Sequence, residues 1–187
     1  MNAQIVPMTD HERRVMQLMQ SFDQATPLLP RMPDEHTRKL RAALILEEAL
    51  EFAQAAGLYV SVKTVDGAVT LSTNRANNID VAKEGDFFLD AGAAEPSLPL
   101  MIDACSDISV VMTGTFVACG VPVTPCLELV DSNNLLKIAT GKLDPVSGKF
   151  IKAPNHPVPN YQHLLDSLGY SESPQDVCQA PTCCAHQ

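Results

Sequence analysis

Three glutamates and two aspartates, set on two otherwise apolar segments, are the residues of this chain best suited to chemistry. The first segment runs Leu40-Arg41-Ala42-Ala43-Leu44-Ile45-Leu46-Glu47-Glu48-Ala49-Leu50-Glu51-Phe52-Ala53, and beyond Arg41 its only charges are the three glutamates. At about 100° per helical residue, Glu47 and Glu51 stand one turn apart on one face, and Glu48 falls within the same arc. The second segment, Leu98 to Cys119, carries Asp103 and Asp107 at the same four-residue spacing and no other charge. Helices this apolar belong to a core, so their acidic stripes must face water or cations. Five carboxylates gathered between two packed helices repel one another, and Arg41 is the only base nearby. Divalent cations are the simplest remedy. Donors that are all oxygen suit Mg²⁺, with Mn²⁺ as a substitute, rather than zinc.

Two or three such ions held by Glu47, Glu48, Glu51, Asp103 and Asp107 suit a phosphoanhydride. They lower the pKa of a water, orient it at phosphorus and hold the charge of the leaving diphosphate. A carboxylate not fully engaged as a ligand takes the proton of that water. Glu48 and Glu47 are the candidate catalytic groups, and Glu48 is preferred as base because it stands angularly apart from the Glu47–Glu51 pair. A solvated glutamate face with locally bonded aspartates is the alternative. A di-iron centre is disfavoured, since it needs Glu-x-x-His pairs, and no histidine follows these acids at that spacing.

The elements that must position these acids are helical. Thr9-Asp10-His11-Glu12 is a capping box, followed by Val15, Leu18, Met19 and Phe22 at helical spacing. Pro27, Pro30 and Pro33 make the next stretch an extended connection. Asp34 caps a second helix to about Ala56, with Gly57 as its stop. A third spans Leu98 to Cys119, with Ser97 as candidate cap, ending at Gly120 and Pro122. Thr124-Pro125 opens a fourth to about Ile138, ahead of Gly141, and a short helix fits Tyr161 to Leu168. Between helices two and three, residues 58–97 form an insert. Val60, Val62 and Thr64 alternate, Asp66-Gly67 gives a tight turn, and Val69 and Leu71 alternate back, which predicts a β-hairpin. A lone hairpin is marginal, so it must lean on the bundle or another subunit. Asn74 to Glu95 reads as a loop or lid. The expected fold is all-α: a four-helix bundle over residues 1–170 with the hairpin insert, then a flexible tail over 171–187.

Composition narrows the function. A chain of 187 residues, 45% hydrophobic and 19% charged, builds one domain with a proper core. Its net charge of −9 disfavours a nucleic-acid polymer as partner, while a bound metal still permits a nucleotide. Met1 to Thr9 has no apolar core of signal-peptide length. In Leu98 to Cys119, each aspartate would cost roughly 2.5–3.5 kcal/mol at a bilayer centre, so a buried helix is expected, with no membrane contact. Cys105, Cys119 and Cys126 are expected as small core residues and free thiols of a reducing, cytoplasmic compartment. Cys178, Cys183, Cys184 and His186 lie in the tail. Adjacent Cys183-Cys184 lacks zinc-ligand spacing, and a frayed terminus is expected there.

Glu47-Glu48-x-x-Glu51 followed by the acidic pair resembles the all-α nucleoside triphosphate pyrophosphohydrolases called MazG-like. Arg41-x-x-Leu44-x-x-Glu47-Glu48-x-x-Glu51, Asp103-Ala104-Cys105-Ser106-Asp107 and the following Gly114 are similar to the phage and bacterial branch related to phosphoribosyl-ATP pyrophosphohydrolase. Val130-Asp131-Ser132-Asn133-Asn134-Leu135-Leu136-Lys137 resembles that branch's Asn-x-x-Lys segment, and Gly148-Lys149-Phe150-Ile151-Lys152-Ala153-Pro154-Asn155 its basic Pro-Asn segment. The resemblance implies metal ligation by Glu47, Glu48, Glu51 and Asp107, with Asp103 as a further ligand. It implies phosphate or sugar contacts from Asn134, Lys137 and Lys152, while Arg41 reaches the phosphates or braces the glutamates. It also implies a homodimer or homotetramer, in keeping with the apolar faces that four such helices leave to cover. Two departures stand out: Ala104 occupies the usual glutamate position of the second block, and Asp131 stands where histidine is common. Within the family the chain resembles the phage MazZ branch, which implies action on (d)GTP to give (d)GMP and diphosphate in phage nucleotide metabolism. Housecleaning of dNTPs or dUTP, and a non-catalytic helical assembly protein, are the alternatives.

Overall fold

Thr9 opens the first helix through both bonds of the capping box. Its hydroxyl accepts the Glu12 N–H at 3.2 Å, and the Glu12 carboxylate accepts the Thr9 N–H at 2.7 Å. A computed structural model describes residues 7–62, 87–91, 95–145 and 150–170. In it α1 spans Asp10–Ser21 and α2 spans Glu35–Ala55. Asp34 caps α2 by accepting the Thr37 N–H at 2.7 Å. Gly57, at φ 72°, ends the turn beyond α2 in the left-handed region that glycine tolerates.

The chain then enters β1 (Leu58–Val62), which pairs antiparallel with β2 (Phe87–Ala91), Leu58 opposite Ala91 and Val62 opposite Phe87. Residues 87–91 therefore form a strand where a loop or lid was expected. Phe87-Phe88-Leu89 does not alternate with polar residues, so only pairing with β1 reveals it. The predicted turn at Asp66-Gly67 and return strand through Val69 and Leu71 lie outside the described residues.

Helix α3 (Leu98–Cys119) starts without a side-chain bond from Ser97, which instead donates its backbone N–H to Ala55 O at 2.9 Å. It ends at Gly120, whose φ is 68° and where a Cβ would strike the backbone carbonyl of Leu29. Arg31 N–H donates to Cys119 O at 2.9 Å, so the proline-rich connection is laced to the end of α3. Helix α4 (Val123–Thr140) begins two residues before the predicted Thr124-Pro125 start. The cause is a distant cap, because Glu12 of α1 accepts the Val123 N–H at 2.7 Å. Short strands β3 (Lys142–Leu143) and β4 (Phe150–Ile151) pair antiparallel, and α5 (Tyr161–Ser167) closes the described chain.

The end of α2 meets the start of α3 through Ala55 and Ser97, while Arg41 near the start of α2 lies against Gly114 near the end of α3. The two helices are thus antiparallel. Val15 and Met19 of α1 pack with Val117 and Ala118 of α3 as the buried core. Leu18 and Phe22, expected on that face, are exposed. Among the described residues α4 packs chiefly against α5, and one chain does not close a four-helix bundle. Helix α3, expected to be buried, is only partly so; by length and composition alone it is apolar enough to cross a membrane. Of the three helical cysteines, Cys126 is buried, Cys119 partly so, and Cys105 is exposed rather than in the core. The tail cysteines lie outside the described residues.

Candidate active site

The antiparallel pairing of α2 and α3 brings their acids together. Midway between Arg41 and Ala55 on α2 sits Glu48. Midway between their partners Gly114 and Ser97 on α3 lies the interval between Asp103 and Asp107. The electrostatics of Glu48 register this convergence. Burial first, then the charges of Glu51, Asp107, Glu47 and Asp103, push its carboxyl above the usual range. Every acid singled out in the sequence contributes to the field at this one side chain.

Within the cluster Glu48 is the half-buried member, while Glu47, Glu51, Asp103 and Asp107 are exposed. Its Oε2 is buried with no hydrogen-bond partner. An unpartnered carboxylate oxygen among four further carboxylates requires a proton or a cation. The five side chains offer only oxygen, the donor that hard dications prefer, so orphan and donor set together fit Mg²⁺ or Mn²⁺. Among the described residues no three His, Cys, Asp or Glu side chains are already drawn into a metal-binding group. Mutual repulsion of uncompensated carboxylates favours that open arrangement.

Arg41 is placed deeper than a phosphate-reaching arginine. It is buried, 7% exposed, with Nη2 donating to Gln24 Oε1 and Nε lacking a partner. A Cβ on residue 114 would sit 2.8 Å from its Nη1, so Gly114 leaves the room it occupies. Burial lowers its pKa, against a smaller opposing influence of Cys119. Among the described residues it makes no ion pair with the glutamates. Arg41 therefore ties the turn after α1 to α2, beside Gly114 of α3, seven residues or ~10 Å along the helix from Glu48.

Asn134, Lys137 and Lys152 fall on a separate unit. Lys137 Nζ donates to Asn134 Oδ1 across one turn of α4. The pairing of Lys142 with Ile151 brings Lys152, exposed just after β4, to the end of that helix. The following chain runs back along α4 to Asn133. Buried Asn133 donates from Nδ2 to Pro157 O at 2.8 Å, and its Oδ1 lies 3.1 Å from His156 Nε2. Because a proline carbonyl only accepts, the amide orientation is fixed and His156 carries its proton on Nε2. Asn133 is thus a clasp that holds the Lys152 segment beside Asn134 and Lys137. The sequence did not separate its role from that of Asn134, and Lys149 lies outside the described residues.

Sequence reasoning missed Gln24 as the partner of Arg41 and Glu12 as a link between α1 and α4. The capping box signalled one half of the Glu12 role, and no local signal marks the other.

Compared with known families, residues 15–134 match the model of phosphoribosyl-ATP pyrophosphohydrolase. The match spans more than half of the chain and includes Arg41, all five acids and Asn134, leaving Lys137 and Lys152 beyond its end. The chain belongs to this family, within the MazG-like all-α nucleotide pyrophosphohydrolases. It is accordingly a hydrolase of phosphoanhydride bonds acting on nucleotides. A comparison with curated proteins gives no match.

Proposed function

We propose that the protein is a Mg²⁺-dependent nucleoside triphosphate pyrophosphohydrolase, converting (d)GTP and water to (d)GMP and diphosphate in the nucleotide metabolism of a phage, within the host cytoplasm. The observation that carries the reaction type is the buried, unpartnered Glu48 Oε2, on a helix pair whose other four acids all act on its charge. Glu47, Glu51, Asp103 and Asp107, with Glu48, would hold two or three Mg²⁺ ions. When bound, these supply a water of lowered pKa and neutralise the charge of the triphosphate and its leaving group. Glu48 accepts the proton of the water that attacks the α-phosphorus, and the bond from that phosphorus to the bridging oxygen breaks as diphosphate leaves. Asn134, Lys137 and Lys152 hold the phosphates and sugar. Arg41 braces the helix that carries the glutamates.

The choice of guanine rests on the general resemblance to the phage MazZ branch. A homodimer or homotetramer is supported by large apolar side chains exposed on three helices, among them Leu46 and Leu50 of α2, Ile102 of α3, and Leu135 and Ile138 of α4. The test is a panel of ribo- and deoxyribonucleoside triphosphates, dUTP and phosphoribosyl-ATP, with Mg²⁺ and Mn²⁺ and products resolved by chromatography. Monophosphate and diphosphate, formed fastest from dGTP or GTP, are expected. Even turnover of several dNTPs, or preference for dUTP, would move the assignment to housecleaning. Preference for phosphoribosyl-ATP would move it to the reaction for which the family is named, and no product from any substrate would leave a non-catalytic assembly protein.

A further inference from the structure

Helix α4 carries Asn134 and Lys137, yet among the described residues its principal packing partner is α5 rather than the acidic helices. Only Gly120 to Pro122 join it to α3. Its direction must therefore be set near its first residue, and Glu12 is the side chain found there. Glu12 is 2% exposed, the most deeply buried charged residue described. Its Oε2 accepts the Thr9 N–H and its Oε1 the Val123 N–H, each at 2.7 Å. One carboxylate thus caps two helices whose starts lie more than a hundred residues apart in sequence.

We propose that Glu12 is a positioning residue, a strut fixing the angle at which α4 leaves the α1–α3 pair and so the place of Asn134 and Lys137 relative to the triphosphate. This rests on the function proposed above for the substrate contacts. Two bonds accepted by two different oxygens require the carboxylate. An amide of the same size has one acceptor and one donor, so glutamine can satisfy only one of the two helix starts. Orientation would matter whether α4 addresses the acids of its own chain or of a second copy, because the strut acts at the root of the helix. Burial raises the Glu12 carboxyl and the bonds from Val123 and Thr9 outweigh it, leaving a carboxylate that stays ionised at neutral pH.

The test compares E12Q with T9A in the full-length protein. T9A removes the hydroxyl bond of the capping box while leaving both backbone donors to Glu12, and so reports generic weakening of α1. E12Q is expected to raise KM for the triphosphate about tenfold, as befits loss of a hydrogen bond to a charged group, with kcat changed less than about threefold on the same reasoning. T9A should leave KM unchanged. A fall in kcat at constant KM in E12Q, or an equal rise of KM in T9A, would reduce Glu12 to a structural residue and overturn the proposal. Hydrogen exchange supplies a readout independent of turnover: in E12Q, amides of residues 123–140 should exchange faster while those of α2 and α3 keep their protection. Unchanged protection of α4 would overturn the strut even in an active enzyme. If the wild type shows no hydrolysis, the substrate assignment fails separately, and faster α4 exchange in E12Q would still support the strut.

Discussion

At the scale of single residues, Glu48 bears the heaviest demands, being the most enclosed of five crowded acids and the one with an oxygen left unpaired. Replacing it with glutamine should reduce turnover by roughly 10²–10⁴-fold, the usual worth of a positioned general base. The same change should raise the metal-free melting temperature, because it removes one like charge from the cluster; full activity in E48Q would refute its role as base. Glu12 predicts a pH effect of definite sign. Its folded pKa is depressed, so the unfolded chain binds its proton first as the solution is acidified. The stabilisation is present above the unfolded value, about 4.3, and is lost as pH falls through the lower folded one. Urea titrations from pH 6 to pH 3 should show a steeper acid loss in the wild type than in E12Q. The acids of α2 and α3 were legible because charge on an apolar helix is uncommon and four-residue spacing fixes the face. The second task of Glu12 was not, since the bond it makes to Val123 joins residues 111 apart in sequence.

At the scale of elements, the sequence revealed boundaries wherever a local chemical signal sets them. Thr9 and Asp34 cap α1 and α2 as their side chains dictate, and Gly120 stops α3 in the left-handed region. Boundaries set by distant partners were displaced. Helix α4 starts at Val123 because Glu12 supplies its cap, and β2 exists because β1 pairs with it. Gly120 is the element-scale test of this account. Alanine there would combine a left-handed backbone with a clash against the Leu29 carbonyl, a backbone atom that cannot swing aside. G120A should lose about 1–3 kcal/mol in chemical unfolding, the usual cost of such strain; an unchanged midpoint would mean that the lacing of the proline-rich connection to α3 is not as described. Gly114→Ala should act differently, pushing the Arg41 guanidinium aside and disturbing its bond to Gln24 while leaving the backbone of α3 in place.

At the scale of the whole molecule, the acids lie together on one helix pair, while Asn134, Lys137 and Lys152 lie on a unit built from α4, β3, β4 and the Asn133 clasp. That division was not visible in the sequence, where the blocks simply follow one another; which helices pack is decided by buried faces such as that of Val15, Met19, Val117 and Ala118. The apolar side chains left exposed predict an oligomer by light scattering, and a polar replacement such as I138D should shift it towards the monomer. Under the proposed function the five carboxylates form a seat for dications. The most direct measurement is Mn²⁺ binding followed by electron paramagnetic resonance, with thermal melts with and without Mg²⁺, on the wild type and on D107N. The wild type should bind two or more Mn²⁺ per chain. At Mg²⁺ near a hundredfold its Kd, it should melt about 5 °C higher or more, the shift for ~2.7 kcal/mol of linkage in a domain of this size; D107N should lose most of both. A wild type that binds no Mn²⁺ and melts at the same temperature with chelator as with Mg²⁺ would contradict the account.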